Sequence, residues 1–73
     1  MEQDWESWVK GLLKAELKRR EVTYQDLTDK LAEIGIAETP ENIANKISRG
    51  KFSAVFFIQC LDVLGCNTIH LND

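Results

Sequence analysis

Apolar residues recur along this chain at three- and four-residue intervals in separate runs, the spacing that puts them on one stripe of an α-helix. In the first run Trp5, Trp8, Val9, Leu12, Leu13 and Leu17 share a stripe, and Asp4 stands before it as a cap, which predicts a helix over about 5–20. Lys18, Arg19 and Arg20 in its last turn complement the helix dipole. Gly11 lowers helix propensity in mid-run, and close packing against a neighbouring element would explain it. Thr23-Tyr24-Gln25-Asp26 fits a capping box for a second helix over 24–34, with Val22 stapled onto Leu27 and with Leu27, Leu31 and Ile34 as the buried edge. Gly35 ends it. Thr39-Pro40 opens a third helix over 40–49, with Ile43 and Ile47 as its apolar face and Gly50 as its stop. Ser53 caps a fourth helix over 54–64, with Phe52 stapled onto Phe57. That run, AVFFIQCLDVL, is apolar almost all round, with only Gln59 and Asp62 expected to face outward. Beyond Gly65, CNTIHL alternates around β-branched residues and predicts a short extended, β-like tail over 66–71 without a second strand to pair with. The expected class is all-α: a compact four-helix domain with a C-terminal extended tail.

Seventy-three residues suffice for one domain on one core. At 44% hydrophobic and 29% charged, with a single proline, the composition is that of a folded protein. No apolar run has the length of a membrane span, and the acidic start MEQDWES is unlike a signal peptide. Cys60 and Cys66 are too few for the disulfide framework of a small secreted chain, so reduced thiols and a cytoplasmic location are expected. The net charge of −3 argues against a protein that coats DNA without selectivity. Its distribution changes the picture. Residues 9–20 carry +4 and residues 42–51 carry +3, with an acidic block of −5 between them over 21–41.

The second basic block lies on the third helix, in NIANKISRGKFS. A short glycine-containing turn joins helices two and three, and the later helix bears the polar, cationic face: the layout of a helix-turn-helix. With Ile43 and Ile47 inward, Asn42, Asn45, Lys46 and Arg49 point away. Arginine forks onto guanine, asparagine pairs with adenine, and lysine and serine meet phosphate. These roles give Asn42, Asn45 and Arg49 as base contacts and Lys46, Ser48 and Lys51 as phosphate contacts on double-stranded DNA. Lys14, Lys18 and Arg19 form a second basic surface available to the backbone. The plain alternative is a solvated helix face.

The run IANKISRGKFS, followed by FFIQCL and LGC, resembles the helix-turn-helix core of λ-repressor-like DNA-binding proteins. WVKGLLKAELKRREVTYQDLTDKL, with NKISRGKF and FFIQCL, looks like a family of small bacterial domains of unknown function related to that superfamily. The likeness runs from about Trp8 to Leu71. It implies an intracellular DNA-binding fold, often dimeric, acting in transcriptional control, with its recognition helix on Pro40–Arg49. Two features depart from the pattern. LTDKLAEIGIAETPEN is longer than the compact form, and it is acidic, with Glu41 in the first turn of the recognition helix.

Other chemistry finds little support. The single histidine, His70, has no nucleophile or carboxylate partner in a motif, so no enzyme activity is expected. Cys66 and His70 are four apart, but with Cys60 they fall short of a full zinc set, and neither metal nor cofactor is expected. Trp5, Trp8, Phe52, Phe56 and Phe57 at helical spacing read as core. The apolar fourth helix and unpaired tail suggest homodimerisation through Phe56, Phe57, Cys60, Ile69 and Leu71. They equally suit a protein-interaction module that uses a helix-turn-helix-like fold without DNA.

Overall fold

The computed structural model describes residues 4–71. Its helices are α1 (Trp5–Arg19), α2 (Tyr24–Glu33), α3 (Pro40–Arg49) and α4 (Ala54–Leu64). Each start is fixed by a side chain that accepts from an otherwise unpaired backbone N–H three residues on: Asp4 from Ser7, Thr23 from Asp26, Thr39 from Asn42, Ser53 from Phe56. At α2 the Asp26 carboxylate also accepts from the Thr23 N–H, completing the capping box. Phe52 stacks on Phe57 with ring centres 6.0 Å apart, the staple that sets the entry into α4.

α3 and α4 each pack against both α1 and α2. Every helix contributes to one core: Leu13 and Leu17, Leu27 and Leu31, Ile43 and Ile47, then Phe56, Cys60, Leu61 and Leu64. Burying such side chains contributes about 1.5–3 kcal/mol each. Gly50 makes the tightest joint. It takes φ +68°, and a Cβ there would lie 2.5 Å from the Glu6 carbonyl oxygen, so the end of α3 meets the start of α1 backbone to backbone.

Several expectations need correction. Trp5 is 64% exposed, edge-to-face against Trp8 at 6.2 Å rather than in the core. Ile34 is not on the buried edge of α2. It is the non-helical C-cap residue, which takes its side chain off the stripe, and Ile36 packs against the core instead. On α4 the outward stripe is Val55, Ile58 and Asp62, while Gln59 is half-buried, because the other helices cover only one side of this apolar run. A Cβ on Gly11 would meet nothing within 4 Å, so close packing does not account for that glycine. The tail forms no strand among the described residues; residues 66–70 run without regular secondary structure, with Ile69 against the core. Among the described residues no helix is long and apolar enough to cross a membrane.

Candidate nucleic-acid interface

α3 divides sharply into two sides. Ile43 and Ile47 are fully buried, whereas Glu41, Asn42, Asn45, Ser48 and Arg49 are exposed. Residues 41, 45 and 48, with 42 and 49, fall on adjoining rows of a 3.6-residue helix, so the base-contact candidates share one surface. Arg49 has no acidic partner within 4 Å among the described residues. At the start of α3, Pro40 has no N–H and the Asn42 N–H donates to Thr39 Oγ1 at 3.1 Å. The first turn therefore offers fewer free donors to an anion than an uncapped helix, and Glu41 adds a negative charge there.

The expected phosphate contacts are arranged differently. Lys46 is folded back rather than fully extended, with its side chain 39% exposed: its Nζ lies 2.5 Å from Glu38 Oε2, in the α2–α3 turn, and 4.5 Å from the centre of the Phe56 ring. Lys51 Nζ lies 3.7 Å from Glu6 Oε2, an exposed pair. The Ser48 carbonyl accepts from Lys10 Nζ at 3.2 Å, bringing a lysine of α1 alongside the end of α3. In the first basic block the buried Glu16 carboxylate accepts from Arg19 and Arg20, the latter at 3.0 Å. The Arg19 guanidinium above all, aided by Arg20, holds the Glu16 carboxyl below its ordinary 4.5 despite burial, and Glu16 in turn raises Arg19. Lys14 and Lys18 stay exposed beside Tyr24.

The residues expected at a dimer interface are also partly withdrawn. Phe56 and Cys60 are core residues of the chain itself, at 5% and 0% exposure, and Phe57 and Ile69 are half-buried; only Leu71 is exposed, at 63%. Burial, and secondarily the nearby Glu38 charge, pushes the Cys60 thiol up to about 12. Cys66 Sγ donates to the Thr68 carbonyl at 3.5 Å.

Sequence reasoning missed Lys10, Glu38 and Glu6 as neighbours of the α3 face, and Val55 and Ile58 as the exposed apolar residues of α4. The Glu16–Arg20 pair obeys helix periodicity and was readable. Glu38 and Lys46 are eight residues apart across a turn, for which no spacing rule exists. Residues 5–69 match the model of a family described as a domain of unknown function, DUF6471. No significant match exists among curated proteins or among solved structures.

Proposed function

The chain belongs to the DUF6471 family, whose description assigns no function, and we propose that it binds double-stranded DNA, with α2 and α3 acting as a helix-turn-helix of λ-repressor-like type and α3 entering the major groove. One observation carries this reading: Asn42, Asn45, Ser48 and Arg49 stand together on the solvent side of a helix whose opposite side is locked into the core. Asn45 and Arg49 read base edges, with Asn42 beside them. Few free cations surround them, so binding rests on base contacts more than on charge, as suits a regulator in transcription rather than a coating protein.

A second copy completes the unit. Val55 and Ile58 are exposed on α4, and pairing through that stripe presents two recognition helices to two half-sites. The same stripe supports the rival reading, an interaction module that docks on protein alone. Anisotropy titration of a duplex library, followed by selection of the bound sequences, separates the two. Replacing both Asn45 and Arg49 by Ala should lower affinity for a selected duplex at least tenfold and flatten its advantage over random duplex, each contact contributing about 1–3 kcal/mol. Equal binding by parent and variant, or no binding by the parent, favours the interaction module.

A further inference from the structure

Two of the three cations in residues 42–51 are engaged by carboxylates of the same chain, and the two pairs differ in kind. Lys51 and Glu6 are 68% and 57% exposed at 3.7 Å, a contact that water and salt screen. At the other pair the Glu38 side chain is only 10% exposed, the contact is 2.5 Å, and the ammonium also lies over the Phe56 ring. A phosphate that recruited Lys46 would break a short charge-assisted hydrogen bond. It would also leave a nearly buried carboxylate without its counter-charge. The α2–α3 turn, α3 and α4 meet at this one ammonium.

Resting on the DNA reading above, we propose that Glu38 is a positioning residue that withholds Lys46 from the DNA backbone and so sets a low phosphate count for the α3 face. Arg49 is then the cation of α3 itself that stays free for DNA, and sequence discrimination is not diluted by a lysine that grips every duplex alike. Each phosphate neutralised adds about 0.9 to the slope of log affinity against log salt, so the count is measurable.

The experiment is a salt series of anisotropy titrations on random-sequence duplex DNA with the parent, Lys46→Met, Glu38→Gln and the double variant, each checked for fold by circular dichroism. Methionine keeps an apolar stem over Phe56, and glutamine keeps the shape of Glu38 without its charge. Lys46→Met should leave the slope unchanged. Glu38→Gln should steepen it by about one and tighten binding to all duplexes, and adding Lys46→Met should restore the parent slope. A slope that falls by about one in Lys46→Met while Glu38→Gln matches the parent overturns the proposal and leaves the DNA reading standing. That fall in Lys46→Met is decisive even if Glu38→Gln does not fold. No binding by parent or any variant overturns both.

Discussion

Glu21 holds φ +58°, a backbone region costly for a residue with a Cβ. It is kept there by the closing turn of α1, where the Glu21 N–H donates to the Lys18 carbonyl at 3.1 Å and the Val22 N–H to the Leu17 carbonyl at 2.9 Å. This is the helix stop that glycine usually occupies. Glu21→Gly should therefore stabilise the fold by roughly 0.5–1 kcal/mol net of the greater freedom of the unfolded chain, measured by urea denaturation; a loss would mean the Glu21 side chain holds something the closing turn does not explain. Cys60 tests burial chemically. With its thiol pushed up to about 12 inside the core, it should resist alkylation at neutral pH while Cys66 reacts, and both should react once the chain is unfolded, as mass spectrometry can count. Glu16 gives a pH dependence with a fixed sign. Its folded carboxyl titrates below the ordinary 4.5, so its contribution is fully present above that value and is lost as pH falls through the depressed one. Asp4 and Asp26, each held below 3.8 chiefly by the backbone N–H it caps, act in the same direction. The melting temperature should drop below about pH 4, and Glu16→Gln should flatten part of that drop while lowering stability at pH 7 by roughly 0.5–1 kcal/mol, because its partners Arg19 and Arg20 reach into solvent.

At the scale of elements, the sequence was legible wherever one local rule decided the outcome. Asp4, Thr23, Thr39 and Ser53 each cap the helix expected of them, and α3 and α4 begin and end where Pro40, Gly50, Ser53 and Gly65 put them. Which side of a helix is covered was legible for α3, whose Ile43 and Ile47 are its only large apolar residues, and not for α4, where nearly every position is apolar and only the placement of the other helices chooses. The site divides the same way. Exposure of Asn42, Asn45 and Arg49 follows from the α3 pattern, whereas the capture of Lys46 by Glu38 depends on how a turn folds back and leaves no periodic trace. The two sides of α3 should separate in mutagenesis. Ile47→Ala should cost roughly 2–5 kcal/mol in unfolding free energy, because it opens a cavity in a fully buried position. Asn45→Ala and Arg49→Ala, both exposed, should each change it by no more than about 0.5 kcal/mol. A large stability loss at Arg49 would mean that its guanidinium is structural, and it would no longer count as a base reader.

At the scale of the whole molecule, one copy is a small reader. With extents of 40 × 23 × 21 Å and a ten-residue α3 about 15 Å long, it has the size to cover one half-site of a duplex under the proposed DNA reading. Its net charge of −3 opposes DNA at long range, and the few free cations near α3 give little back. Under the proposed DNA reading, useful affinity would therefore need two helices bound at once, about 34 Å apart along the groove. The surface available for pairing is not the Phe56 and Cys60 side of α4, which the core consumes, but the stripe of Val55 and Ile58, 65% and 59% exposed, ending at Asp62. Ile58→Glu places a carboxylate in that stripe. In a two-fold pair it buries an unpaired charge on each side, whereas in one copy, where position 58 is 59% exposed, it stays largely in water one turn from Asp62. The variant should keep the parent's helical spectrum and lie within about 0.5 kcal/mol of the stability of a dissociated parent chain. Its mass by light scattering at tens of micromolar should be half the parent's, and its DNA binding should fall at least tenfold although α3 is untouched. A parent that is already monomeric at that concentration would sink the pairing, and Val55 and Ile58 would then be the scattered surface apolars that any folded chain carries. Loss of mass without loss of DNA binding would instead keep the dimer and detach it from recognition, leaving α3 to act as a single reader.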